Sequence, residues 1–181
     1  FSSINIGNTR IKGFELSLAG EGNLSEKTSI RFLGGYNYLD PRLVTYDKTW
    51  AAKIDTVAIY GSENSTFLKY RFRHTAKLDV EVNRPKWMLG ASVRYNSFME
   101  NVDKIFVSPA IDYFFPGFGV GYYRDNHNRG DAVVDFRSAY KWKHGIELSF
   151  VVRNLFNNIY MQRPADMQAP RQFVTQIKVA F

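Results

Sequence analysis

The stretch that decides the fold is the last one, Arg153 to Phe181: RNLFNNIYMQRPADMQAPRQFVTQIKVAF. Its last eleven residues alternate strictly. Phe173, Thr175, Ile177, Val179 and Phe181 fall on one face, and Gln172, Val174, Gln176, Lys178 and Ala180 on the other. A period of two over that length specifies a β-strand with one apolar face. The strand finishes on an aromatic of that face. A soluble sheet gains nothing from this arrangement, whereas a strand whose outer face meets lipid does. The expectation to test is an outer-membrane barrel.

Six further alternating stretches lie upstream. Ile146–Phe156 sets Ile146, Leu148, Phe150 and Val152 against Glu147, Ser149, Val151 and Arg153. Asp131–Trp142 and Trp87–Phe98 alternate in the same way. Phe67–Val82 is the clearest: Tyr70, Phe72, His74, Ala76, Leu78, Val80 and Val82 oppose Arg71, Arg73, Thr75, Lys77, Asp79 and Glu81. Ser29–Tyr38 and Thr9–Ala19 complete the set, joined by the polar turn GEGNLSEK.

The connections sort by length. GEGNLSEK, Asn83–Lys86 and Lys143–Gly145 are short, while Leu39–Thr66, Met99–Arg129 and Asn157–Pro170 are longer. With up-and-down topology all short turns fall at one end and all long loops at the other, as in an outer-membrane barrel with short periplasmic turns. Eleven residues at ~3.3 Å each, tilted by ~45°, cover on the order of 25 Å, the height of a barrel's apolar band. The expected fold is therefore all-β: a transmembrane, antiparallel, up-and-down barrel. Bacterial single-chain barrels have an even number of strands, from 8 upward. The seven strands are expected to be the last part of a larger barrel, because two unpaired edges in lipid are not viable.

Composition agrees. Aromatics make up 16 % of the chain, with 11 Tyr, 15 Phe and 3 Trp, which suits interface girdles. The chain opens at Phe1 without Met or signal peptide, and no apolar run approaches the ~20 residues of a membrane helix. A net charge of +7 invites nucleic acid, but the Lys and Arg are spread singly along alternating strands, so no nucleic-acid partner is expected. There is no Cys, and the three His are scattered, so neither metal nor cofactor is expected. A packing role suits His74, a solvated turn suits His127, and His144 sits in a tight turn. GFGVG at 117–121 lacks a P-loop's Lys and shows no helix pattern after it. No catalytic constellation appears, and the chain reads as a non-enzyme.

A basic residue on the lipid side at mid-membrane costs roughly 2–4 kcal/mol. Arg71, Arg73, Lys77, Asp79 and Glu81 must then face a wet lumen or a polar plug, as must Glu15, Arg31, Arg94, Asp135, Arg137, Glu147, Arg153 and Lys178. Cross-strand pairing is the simplest role for these charges, and substrate guidance the sharper one. In the long loops, Tyr46, Trp50, Tyr60, Phe106 and Tyr113 are candidate ligand contacts, together with Phe114, Phe115 and Phe118. Packing between loops is the plainer alternative.

Four stretches resemble one family. RNLFNNIY (Arg153–Tyr160) followed by APRQF (Ala169–Phe173) and a terminal aromatic resembles the C-terminal end of a TonB-dependent outer-membrane receptor. NTRIKGFELSL (Asn8–Leu18), LKYRFRHTAKLDV (Leu68–Val80) and DAVVDFRSAYKW (Asp131–Trp142) are similar to further strands of that family, in the same order. The resemblance implies the C-terminal portion of a 22-stranded barrel around an N-terminal plug that this sequence does not include. It implies TonB-powered uptake of a scarce ligand such as a siderophore, cobalamin or glycan, in the outer membrane of a Gram-negative bacterium. It further implies that Phe173, Ile177, Val179 and Phe181 are read by the barrel-assembly machinery. The RPADMQAPRQF wording suggests a Bacteroidota-type receptor. The residues by themselves leave two rivals: a small passive barrel or adhesin, and a soluble β-sandwich binding module.

Overall fold

The computed structural model describes residues 8–44, 66–114 and 119–180. Seven strands form one sheet: β1 (Thr9–Ser25), β2 (Thr28–Leu43), β3 (His74–Asn83), β4 (Trp87–Asn96), β5 (Asp131–Lys141), β6 (Ile146–Arg153) and β7 (Gln172–Val179). Each pairs antiparallel with the next, in the order β1 to β7. The sheet is up-and-down and open, with β1 and β7 as its edges. The three short turns lie at one end and the longer connections at the other.

Partners in an antiparallel ladder put their side chains on the same side, so the register sorts the faces. One row crosses all seven strands as Gly20, Phe32, Val80, Ala91, Phe136, Val152 and Phe173. The row beside it, on the opposite face, is Glu21, Arg31, Glu81, Gly90, Arg137, Val151 and Val174. One face is thus apolar and the other charged. The apolar face stays open: Leu16, Leu18, Phe173 and Ile177 are each more than 60 % exposed. The fully buried side chains gather among the long connections instead, where Phe67, Val102 and Val120 pack.

Several boundaries differ from the sequence reading. β1 continues through Gly20–Asn23 to Ser25, so only Glu26 and Lys27 turn. The cluster of turn-forming residues misleads there because every one of Gly20 to Asn23 finds a ladder partner on β2. Gly20 leaves room in that row for the ring of Phe32, which a Cβ would meet at 2.5 Å. β2 runs past Tyr38 to Leu43. At Pro41 β3 gives way to a short bridge with Thr66–Leu68, in which Leu68 N–H donates to Pro41 O at 3.0 Å and the proline, having no N–H, returns no bond.

β3 starts at His74 rather than Phe67. Tyr70 takes a left-handed backbone with φ 61, which breaks an extended run, and its N–H bonds Asn101 O at 3.0 Å. Arg71 and Arg73 therefore lie outside the strand. β4 stops at Asn96, and the Ser97 hydroxyl accepts the N–H groups of Arg73 and His74 at 3.1 Å each. β6 stops at Arg153, because Asn154 adopts φ 50. The β4–β5 connection, expected to be irregular, holds two short helices, α1 (Pro109–Phe114) and α2 (Val120–Asn126). A helix does follow Gly119, contrary to the reading of GFGVG.

Candidate functional site

The charged face carries a connected network. The Arg137 guanidinium donates to both carboxylate oxygens of Asp79 at 2.7 Å, to Ser92 Oγ at 2.9 Å and to Glu81 at 3.2 Å. Such a fork matches carboxylate geometry and is among the stronger polar contacts. Glu81, almost buried, also accepts from Arg31 at 2.8 Å and Asn83 at 2.9 Å. Arg94 donates to Asp135 at 3.0 Å, and the other oxygen of Asp135 accepts the Asn154 N–H at 2.8 Å. Gly90, directly opposite Arg137, lets the guanidinium lie flat on the sheet: a Cβ there would sit 2.6 Å from Arg137 Nε. Lys77, Glu147, Arg153 and Lys178 occupy positions on this same face by register.

Of the expected charged-face residues, Arg71 and Arg73 depart furthest. Arg71 is exposed in the segment leading to β3. Arg73 enters a cluster at the long-connection end: it grips Glu100 at 2.5 and 2.8 Å and stands 3.7 Å from Asp40. Its guanidinium and that of Arg42 lie over the ring of Phe67, at 4.9 and 5.5 Å. The hydrogen bond to Glu100 holds the Arg73 pKa above its ordinary value. Asp103 accepts from both Lys69 and the Tyr70 hydroxyl. Burial first, then Asp103, pushes the Tyr70 phenol up.

A second cluster ties α2 to β5. Asp131 accepts the Tyr123 hydroxyl and pairs with His127 Nδ1 at 2.7 Å. The Tyr123 and His127 rings stack at 4.3 Å. Burial and then Asp131 raise the Tyr123 phenol. His127 is thus held by a carboxylate and an aromatic ring rather than left in a solvated turn. His74 lies against Tyr36 and Tyr38, with Nδ1 2.7 Å from the Tyr36 hydroxyl. Among the described residues no group of three His, Cys, Asp or Glu could hold a metal.

The candidate loop aromatics scatter. Phe106 is half-buried in a single helical turn at Lys104–Val107. Tyr113 is 81 % exposed and meets Phe114 edge-on. Tyr46, Trp50, Tyr60, Phe115, Phe118 and Phe181 lie outside the described residues. Between Phe98, Val120, Tyr123 and Met161 is a cavity of about 40 Å³, with room for a water or two and too small for a ligand. A groove of about 380 Å³ runs where the charged face meets the long connections, lined by Tyr70, Lys77, Arg94, Asp131, Tyr160 and Arg163 among others. The sequence reading missed Tyr160 and Arg163, which belong to an aperiodic loop.

The RNLFNNIY stretch acquires a role in this geometry. Asn154, buried, donates to the carbonyls of Asn158 at 2.8 Å and Ala169 at 3.3 Å, and its Oδ1 accepts the Asn158 N–H at 2.9 Å. Asn158 reaches Ala132 O at 2.8 Å, and Asn157 accepts the Arg171 N–H at 2.8 Å. Three asparagines therefore clasp the base of the last loop to β5 and to Arg171, the residue that leads into β7. Asn154 and Asn157 have φ 50 and 55, a conformation that Asn tolerates better than most residues.

Among solved structures, the fold is similar to that of the ferric-catecholate import receptor Fiu from E. coli K12, at 20 % identity and a TM-score of 0.66. The match covers 96 % of this chain and 21 % of that one. The siderophore receptor PiuA from Acinetobacter baumannii is similar at 17 % identity and a TM-score of 0.55, over 96 % of this chain and 22 % of that one. The chain thus spans about a fifth of the length of these receptors. No curated protein matches the sequence. A family model described as TonB dependent receptor-like, beta-barrel matches residues 1–155. With that match over most of its length, and a sheet that sorts lipid-type from charged residues strand by strand, the chain belongs to the TonB-dependent receptor β-barrel family.

Proposed function

We propose that this chain is the C-terminal part of the barrel of an outer-membrane active-transport receptor. The whole protein would take up a scarce ligand, a siderophore, cobalamin or a glycan, with energy supplied through TonB. In this reading the apolar face meets outer-membrane lipid, and the charged face lines the lumen of a 22-stranded barrel and packs on a plug domain. The long connections then face outward from the cell. The observation that carries it is the coincidence of an open apolar face, a networked charged face and end-sorted connections in a member of this receptor family. The groove around Lys77, Arg94 and Arg163 lies where an incoming ligand would first meet the wall.

The same reading makes Phe173, Ile177 and Val179, exposed on the apolar face of β7, part of the signal for the barrel-assembly machinery, together with Phe181. The Bacteroidota type belongs to it too and rests on the wording of residues 163–173. The test is uptake by cells carrying the full-length receptor, with siderophore, cobalamin and glycan each offered as the limiting nutrient. Uptake should be saturable and should stop when TonB is removed. Uptake that continues without TonB would overturn active transport and leave a passive barrel.

A further inference from the structure

The two ends of the sheet treat cations differently. At the long-connection end, Arg42, Lys69 and Arg73 each meet a carboxylate: Asp40, Asp103 and Glu100. At the other end the three hairpin turns carry Lys27, Arg84, Lys86 and Lys143 against the single acid Glu26. All four cations are exposed, and none makes an ion pair among the described residues. Arg84 lies over the Trp87 ring at 5.5 Å. Trp87 and Tyr140 are ladder partners on the apolar face, and Trp142, 58 % exposed, meets Tyr140 edge-on at 4.9 Å. Successive hairpin tips stand about 10 Å apart, two strand spacings.

Aromatics at the limit of an apolar face mark the depth at which headgroups begin. Cations just beyond that limit, unmatched by protein carboxylates, face the phosphate layer. We propose that the short-turn end is a docking surface for the phosphate groups of anionic phospholipids in the leaflet it enters. Arg84, Lys86 and Lys143 are the principal contacts, and Trp87 and Trp142 fix the depth. The inference rests on the membrane-barrel reading and goes beyond it, since lipid contact alone requires no charge.

The test uses the full-length receptor in nanodiscs of mixed phosphatidylglycerol and phosphatidylcholine, with co-purifying lipid identified by native mass spectrometry. Phosphatidylglycerol should be enriched on the receptor, and the enrichment should fall as salt rises. Because a cation near an anionic surface is worth about fivefold in partition, R84Q/K86Q/K143Q should lose at least about fivefold of it. Each single variant should lose part, which keeps the test valid if the triple variant folds poorly. R129Q, at the opposite end, should change nothing.

Insertion without a lipid preference, or an unchanged preference in the triple variant, would overturn the headgroup surface alone. Displacement of the lipid by inorganic phosphate would reassign the cations to a free anion. Failure to enter the bilayer at all would overturn the membrane reading and the headgroup surface with it.

Discussion

The two faces of the sheet are built on one backbone and meet opposite demands. On the charged face, Arg137, Asp79, Glu81 and Arg31 satisfy one another across three strands. On the apolar face the alternate side chains have no such polar partners, and on the edge strands Leu16, Leu18, Phe173 and Ile177 remain open. A contiguous exposed apolar surface of this kind marks a membrane or partner contact. The contrast shows that register, rather than composition, carries the membrane information in a β-protein. A slip of one residue would exchange the two faces entirely.

The comparison breaks most sharply by placing a charge on the wrong face. V80R, at the centre of the apolar row, should destabilise the receptor by about 2–4 kcal/mol in lipid vesicles, measured by urea unfolding. The charged-face change K77R, on the same strand, should be close to neutral. Equal effects of the two would refute the assignment of faces. Next in size is R137M, which leaves Asp79 and Glu81 short of donors and should cost about 1–3 kcal/mol. D79N should then cost much less in the R137M background than alone, a coupling read from a double-mutant cycle. G90A should cost about 1 kcal/mol by pushing against the Arg137 side chain, and nothing once Arg137 is shortened to Ala.

The smallest effect sharpens the picture of the long-connection end. The Tyr70 and Tyr123 phenols are raised above the ordinary tyrosine value. The stability they lend is complete below about pH 10, the unfolded value, and is lost as pH rises through their folded values. D103N and D131N should each bring one tyrosine back toward the ordinary range in a phenolate absorbance titration. An unchanged titration curve would separate these tyrosines from their carboxylates.

Most of the sheet was legible because strict alternation leaves few options. Lys77, Asp79 and Glu81 share a face as soon as β3 is granted, and Arg94 and Arg137 fall on the same face by their own alternation, though which carboxylate each one meets does not follow from it. What alternation could not show were its own interruptions. Arg71 and Arg73 continue the pattern in letters but not in space, because one left-handed residue, Tyr70, ends the run before β3 begins. Gly20 to Asn23 look like a turn and pair like a strand, since turn propensity yields where a partner strand supplies every hydrogen bond. The clusters on Asp103 and Asp131 were invisible because they join residues from aperiodic segments. The asparagines of RNLFNNIY were visible as a family signature and not as a mechanism.

Those asparagines have a consequence for how such proteins diversify. With Asn154, Asn157 and Asn158 holding the root of the loop to β5 and to the lead-in of β7, the residues beyond the root are released from setting strand alignment. The tip near Ala165, exposed and at φ 62, is then an interchangeable cassette on a fixed frame. New segments can be exchanged there without renegotiating how β6 and β7 close.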